Sequence, residues 1–254
     1  FNVVLDLTPA KGHRIVMDTL PGFIHSGSDF AITSAGLAIC ETTISNFKGF
    51  DPAGLPEFMR MRKATQYAKS IEEWTGIMRK GNNGGYANTW LIADAKTGEI
   101  GKLELGLKNV IEHRSKDGYY VGANFPEDPK LIREEIEGGW DTDPRRNGCE
   151  NRRLRFDQLF AANGGAVDAE KGKEFLADTF DPGRNVSRAS DRTICGVGLS
   201  GGATNTKVAE AGQILRMEFW ARMGVSDGRS LSARQMQPAS PFMKDLPGRA
   251  WVRF

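Results

Sequence analysis

Histidine and cysteine are scarce in this 254-residue sequence, which contains three of each. None of them lies at the H-x-x-x-H or C-x-x-C spacing of common zinc sites, so a zinc centre is not predicted. The G-x-S-x-G elbow of a Ser-His-Asp hydrolase is missing too. A glycine-rich stretch at residues 196–202 lacks the Lys-Ser/Thr ending of a phosphate-binding loop. These absences argue against the commonest metal-dependent, serine-dependent and nucleotide-dependent enzymes.

Long apolar runs and an excess of one charge are absent as well. No segment reaches the roughly 18 apolar residues that suggest a membrane-spanning helix. Lysine and arginine number 34 against 32 aspartates and glutamates, and the two sets are interspersed, which argues against a nucleic-acid-binding protein. With 39% hydrophobic residues and no low-complexity linker, residues 1–254 are predicted to form a single domain.

The three cysteines cannot all pair within one chain. Cys40 lies in an apolar strand pattern, which predicts a packing role. A disulfide between Cys149 and Cys195 is one alternative, but the sequence does not show whether they lie within bridging distance. The other alternative is that one of these two is a reactive thiol, although neither has a histidine nearby in the sequence.

Hydrophobic patterns predict two β-hairpins and then two helices in the first third of the chain. The hairpins pair residues 2–7 with 14–19, and 30–34 with 37–44. The first helix covers residues 57–68, and the second begins with a capping box at Ser70 and ends at Gly81.

The rest of the chain is predicted to continue with strands and then turn helical. The strands are placed at residues 86–93, 99–105 and 118–123, and the helices at 152–162, 168–180 and 206–223, with one strand at 193–199. A chain that begins mainly with strands, and continues with helices that would cover the sheets from outside, is typical of a layered α+β sandwich.

The segment from Gly81 to Asp94 places an amide side chain at the start of a strand that is predicted to be buried. Polar and glycine residues allow close backbone approach, and Asn88 follows them directly. An asparagine held by a rigid strand can donate an N–H to a developing oxyanion. The alternative is a glycine-rich hairpin in which Asn88 bonds its own turn.

Several blocks, in the same order, resemble the phospholipase B-like family and the related acyltransferases and amidohydrolases of the penicillin-acyltransferase (peptidase C45) type. They are Ser28-Asp29-Phe30 with residues 36–44, residues 81–94 and 98–106, residues 118–125, and the C-terminal segments 207–224 and 245–251. The resemblance implies an N-terminal-nucleophile (Ntn) hydrolase: a four-layer αββα sandwich of two mainly antiparallel sheets, whose catalytic cysteine becomes a chain start after autoproteolysis.

Such a nucleophile uses its own α-amine as the base for its thiol. The reference pKa values are about 8 for the α-amine and about 8.5 for the thiol. Proton transfer from the thiol to the amine is therefore nearly balanced at neutral pH. Residue 1 is Phe, which has no nucleophilic atom. We therefore expect the cysteine on an upstream or separate N-terminal fragment, with this chain supplying the oxyanion and substrate part of the site.

The resemblance also assigns individual side chains. Asn88 matches the family's oxyanion-hole asparagine, and Arg152 matches its helix-start arginine. Such an arginine would orient the nucleophile's partner or bind an anionic substrate. The alternative for Arg152 is a place on a solvated basic helix face. Asn124, Tyr86 and Glu41 are candidate substrate-binding residues. Asn124 can instead form a simple turn, and Glu41 a structural ion pair, because a carboxylate is costly to bury alone.

The sequence and the resemblance together predict a hydrolase that cleaves an acyl amide or ester bond of a small molecule or a lipid, with no metal and no organic cofactor. A non-catalytic binding or lumenal structural protein with the same fold is the alternative. We expect a secreted, periplasmic or lysosome-like compartment.

Overall fold

The computed structural model describes residues 3–27, 29–165, 167–196, 204–236 and 244–254. The chain divides into two compact units. The first contains Phe1–Trp140 and Ala211–Glu218, and the second contains Asp141–Glu210 and Phe219–Phe254. The prediction of a single domain is not tested by this division and stays a prediction.

The first unit is built on a seven-stranded sheet whose strands follow chain order and pair antiparallel throughout. The strands are β1 (Val3–Leu7), β2 (Ile15–Thr19), β3 (Phe30–Thr33), β4 (Leu37–Thr43), β5 (Asn88–Asp94), β6 (Glu99–Leu105) and β7 (Val110–Ser115). Both predicted hairpins are present. Helices α1 (Glu57–Tyr67) and α2 (Ile71–Arg79) connect β4 to β5, and α3 (Pro129–Glu135) follows β7.

The core of this unit lies between one face of the sheet and helices α1 and α2. Apolar residues at alternate strand positions point to the same face, so Leu37, Ile39, Trp90 and Ile92 pack together. Trp74 of α2 meets Trp90 of β5 with ring centroids 5.0 Å apart. These contacts hold β4 and β5 against the helix layer.

The predicted cap of α2 is present. The Ser70 hydroxyl accepts the Glu73 N–H at 3.2 Å, and the Glu73 carboxylate accepts the Lys69 N–H at 2.9 Å. Two backbone donors at the start of the helix are thereby satisfied. Capping therefore sets the start of α2, and the helix ends at Arg79, close to the predicted Gly81.

The second unit combines helices with short strands. Its elements are α4 (Gly148–Asn163), α5 (Ala169–Leu176), β8 (Phe180–Asp181), β9 (Val186–Ser187), β10 (Thr204–Val208), β11 (Trp220–Val225), α7 (Ala233–Met236) and β12 (Val252–Arg253), whereas α6 (Ala211–Leu215) belongs to the first unit. Strands β10, β11 and β12 form a second antiparallel sheet. The α+β class and the two mainly antiparallel sheets are confirmed; the four-layer stacking stays a prediction.

Four predicted elements differ from the structure. The third strand after α2 is β7, Val110–Ser115, and not residues 118–123. The long helix at 206–223 is instead strand β10, the short helix α6 and strand β11, because Val208 and Trp220 pair across a sheet that a local pattern does not reveal. The helix from Asp168 ends at Leu176 and not at Phe180. Of the strand predicted at 193–199, residues 193–196 form no strand, and the rest lies outside the described residues.

Candidate active site

Asn88 is the first residue of β5, where it pairs with Thr43 of β4 and Leu105 of β6. Its side chain is fully buried, at 0% exposure. The amide Nδ2 donates to the Oε1 atom of Glu41 at 2.6 Å. The amide Oδ1 is buried without a hydrogen-bond partner among the described residues. Asn88 therefore bonds across the sheet and not within its own turn.

Glu41 is the centre of the polar cluster around Asn88. It lies on β4 two residues before Thr43, so both side chains point to the same face as Asn88. The Tyr86 hydroxyl donates to Glu41 Oε2 at 3.4 Å and lies 2.5 Å from Thr43 Oγ1. The predicted residues Asn88, Glu41 and Tyr86 are thus brought together, and Thr43 completes the cluster.

The charge of this cluster depends on a pair of carboxyl groups. Burial, followed by the nearby Asp29 carboxylate and a hydrogen bond to it, raises the pKa of Glu41 to about 9. At neutral pH the Glu41 carboxyl is therefore protonated and neutral. Burial and the Glu41 carboxyl also raise the pKa of Tyr86, which stays a neutral hydroxyl.

Asp29 and Glu57 extend the cluster; Asp29 lies in a block that carries the family resemblance, but neither residue was a candidate site residue. Asp29 has a left-handed backbone with φ of 59°, an uncommon conformation for a non-glycine residue that often marks functional positions. Burial raises the pKa of Glu57 to about 7, the neighbouring Arg60 opposes this, and Asp29 adds to it. Asp29 therefore lies within electrostatic reach of both Glu41 and Glu57.

Asn124 supports the end of β4. Its backbone N–H donates to Thr42 Oγ1 at 2.8 Å, and its side-chain Nδ2 donates to the Thr43 carbonyl at 2.9 Å. Its φ of 69° is a left-handed conformation that asparagine tolerates better than most residues. Asn124 therefore holds the strand that carries Glu41 and Thr43; its predicted contact with substrate stays a prediction.

Arg152 lies in the first turns of α4, in the second unit, and only 7% of it is exposed. Its Nη1 donates to the Asp191 carbonyl at 2.5 Å, and its Nη2 lies 3.4 Å from Cys149 Sγ. Because it is buried, Arg152 is not part of a solvated basic helix face. Its catalytic role stays a prediction.

None of the three cysteines is in a disulfide, so Cys149 and Cys195 are not joined. Cys40 is exposed, so its predicted packing role is wrong: it points to the face of β4 opposite Leu37 and Ile39. Cys195 is fully buried, and burial raises the pKa of its thiol. A buried thiol of this kind is a poor nucleophile.

The Phospholipase B family profile matches residues 1–134. The chain belongs to the Phospholipase B family. Human phospholipase B-like 1 is 33% identical over 149 residues, covering 52% of this chain and 27% of that protein. Rat phospholipase B-like 1 is 31% identical over 132 residues, covering 45% of this chain and 24% of that protein. The curated relatives are thus much longer than the part of them that this chain spans.

Among solved structures, a variant of conjugated bile acid hydrolase from Clostridium perfringens aligns with 61% of this chain and 60% of its own. The sequence identity is 14% and the TM-score 0.34, which is too distant to transfer any residue's role.

Two features are absent from the described ranges of the chain. No helix there is long and apolar enough to cross a membrane. Those residues also contain no group of three or more His, Cys, Asp or Glu side chains arranged to hold a metal ion.

Proposed function

We propose that this Phospholipase B family chain forms the oxyanion and substrate part of a hydrolase that cleaves an acyl amide or ester bond. The observation that supports this proposal is the buried Asn88 amide at the start of β5, held by Glu41 at 2.6 Å. The Nδ2 group has two N–H donors, and the bond to Glu41 uses one of them.

The chemistry requires a cysteine nucleophile on a polypeptide outside this sequence, which we propose as the partner of this chain. Its thiolate attacks the acyl carbonyl carbon, and the carbonyl electrons move to the oxygen. The amine or alcohol leaves with a proton from the cysteine's α-ammonium group, and a thioester remains. Water then attacks the thioester while the α-amine accepts its proton, and the acid and the thiol are released.

Asn88 donates to the oxyanion in both tetrahedral intermediates. Comparable donors have stabilised such a transition state by roughly 2.7–4 kcal/mol. A second negative charge beside the oxyanion would oppose this effect. Because the raised pKa of Glu41, about 9, keeps its carboxyl protonated at neutral pH, Glu41 can hold the amide without repelling the developing charge.

The first experiment characterises the protein produced from the complete coding sequence. Intact-mass analysis and N-terminal sequencing should find a second polypeptide that begins with cysteine and accompanies this chain. The preparation should hydrolyse an acyl amide or ester, and alkylation of that cysteine should abolish turnover. A full-length product without such a cysteine would contradict the hydrolase and favour the non-catalytic binding protein.

A second candidate function is a thiol enzyme that uses Cys149. The observation in its favour is the Arg152 guanidinium 3.4 Å from Cys149 Sγ at the start of helix α4. Cys149 is less exposed than Cys40. This candidate therefore requires iodoacetamide near neutral pH to modify Cys149 faster than Cys40; the reverse order contradicts it.

A further inference from the structure

The second unit contains an open cleft of about 530 Å³ that the acyl chemistry does not use. Residues between Asp181 and Asp191 line it, including strand β9 and the loop that follows. Two arginines, Arg184 and Arg188, are part of this lining.

The loop that carries these arginines is held by a buried polar network. Arg192 Nε donates to Asp181 Oδ2 at 2.8 Å, and the two side chains are 5% and 2% exposed. The Arg192 N–H donates to Ser190 Oγ at 3.1 Å. Asn151 bonds both sides of the loop, donating to the Arg192 carbonyl at 2.9 Å and accepting the Gly183 N–H at 2.8 Å.

This network neutralises Asp181, one of the two acids that line the cleft. The Asp181 carboxylate is committed to Arg192 and to the backbone N–H of Arg184, at 2.8 and 3.0 Å. The guanidinium groups of Arg184 and Arg188 are exposed and have no hydrogen-bond or ion-pair partner in the described parts of the chain. Asp191 is the one other acid in the lining, so the cleft keeps a net positive charge.

We propose that this cleft binds a phosphate ester. Two arginine forks match the oxygens of a phosphate group, and each contact is a charge-assisted hydrogen bond. The Ser190 hydroxyl, whose oxygen accepts from Arg192, can direct its hydrogen into the cleft. Val186, which is 46% exposed in the same lining, offers an apolar contact to the esterified group. The phosphate belongs to a soluble phosphomonoester or to a lipid headgroup.

The test measures binding of inorganic phosphate and of glycerol 3-phosphate by amide chemical shifts, and binding of phosphatidylcholine vesicles with and without phosphatidic acid by co-sedimentation. Both soluble probes should shift the amides of Arg188 and Ser190. Sedimentation with phosphatidic acid vesicles in addition identifies a lipid headgroup as a ligand; its absence assigns the cleft to soluble phosphate esters.

Three variants make the test specific. The double variant Arg184→Ala/Arg188→Ala should weaken phosphate binding by about tenfold or more, as loss of two charge-assisted contacts predicts. The pair Arg184→Lys/Arg188→Lys keeps the charge but loses the fork, and it should bind at an intermediate level. Arg253→Ala removes an exposed arginine of β12, outside the cleft, and should bind like the wild type.

Undiminished binding by the double alanine variant would overturn the proposal. So would shifts confined to residues outside 181–191, or equal competition by chloride, which would indicate a diffuse positive surface. Circular dichroism confirms folding of each variant, and the single alanine variants serve if the double variant unfolds. The cleft is built wholly from the second unit, so these results stand whether or not the acyl chemistry is correct.

Discussion

At the scale of single residues, the proposed role of Asn88 depends on the protonation state of Glu41. Glu41 accepts the Asn88 amide at 2.6 Å and is held in turn by Tyr86 and Asp29. An ionised carboxylate at this position would compete with an oxyanion for the same donor and repel it. The proton that burial and Asp29 keep on Glu41 is therefore part of the proposed mechanism.

The first prediction concerns Glu41→Gln, which keeps the shape of the side chain but removes its ionisable carboxyl group. The folded protein holds the Glu41 proton up to pH about 9, whereas the unfolded chain releases it near its ordinary value of 4.5. Across this window the unfolded state binds fewer protons, so the contribution of Glu41 to stability is full below pH 4.5 and is lost as pH rises towards 9. The free energy of unfolding of the wild type should therefore fall relative to the variant as pH rises.

Urea denaturation at pH 5 and pH 8 measures this difference. Glu137→Gln, which changes an exposed glutamate outside the cluster, is the matched control and should track the wild type at both values. Parallel curves for wild type and Glu41→Gln would mean that Glu41 is ionised in the folded protein, which would contradict the account of the cluster.

The sequence identified Asn88, Glu41 and Tyr86 as separate candidates but not as a cluster. Their meeting depends on the register of β4 against β5, which places Thr43 opposite Asn88. That register is set by long-range pairing, so no local pattern contains it. Asp29 and Glu57 were missed for a similar reason: one depends on an unusual backbone angle, and the other looks like an ordinary first-turn acid of α1.

At the scale of elements, hydrophobic patterns predicted β1 to β6, α1 and α2 because their apolar faces are continuous. They failed for β7, an edge strand whose Glu112, His113 and Arg114 are polar. Edge strands carry such charges to avoid pairing with other chains, and this removes the alternation that a prediction needs. Residues 118–123 contain more apolar side chains but do not join the sheet.

The second prediction concerns the packing of residues 118–123 against β4. Gly122 lies so close to Thr42 that an added methyl group would collide with the Thr42 Cγ2. Gly122→Ala should therefore lower the free energy of unfolding by about 1–3 kcal/mol. Thr42→Ser removes the obstructing methyl but keeps the hydroxyl that accepts the Asn124 N–H, so the double variant should recover most of the loss.

Gly76→Ala is the matched control for this experiment. The same change in α2 meets no atom within 4 Å and replaces a glycine inside a helix, so it should stabilise the protein by about 0.5–1 kcal/mol. Thermal or urea denaturation of the four proteins measures these signs. Equal destabilisation of the Gly122→Ala and Gly122→Ala/Thr42→Ser proteins would show that the contact with Thr42 is not the cause.

At the scale of the whole molecule, the chain passes between the two units three times, after Trp140, Glu210 and Glu218. Each unit consists of two separate chain segments, so the unfolding of one unit moves the ends of segments that belong to the other. We therefore predict one cooperative unfolding transition, as expected for a single domain.

Two probes test this prediction in the same denaturant series. Thiol labelling of the buried Cys195 reports on the second unit, and hydrogen exchange of the β5 amides reports on the first. The two midpoints should coincide. Labelling of Cys195 at denaturant concentrations where the β5 amides are still protected would show that the units unfold separately.

The central claim is that the Asn88 amide stabilises an oxyanion, and it is tested most directly by kcat of the complete protein on an acyl amide or ester. Asn88→Ala should lower kcat by about 10²–10³-fold with a much smaller change in KM. Thr89→Val is the matched control, because Thr89 is buried on the opposite face of β5 and its hydroxyl has no hydrogen-bond partner in the described chain. Loss of kcat in Asn88→Ala with normal turnover in Thr89→Val is the predicted result; equal turnover in all three proteins would contradict it.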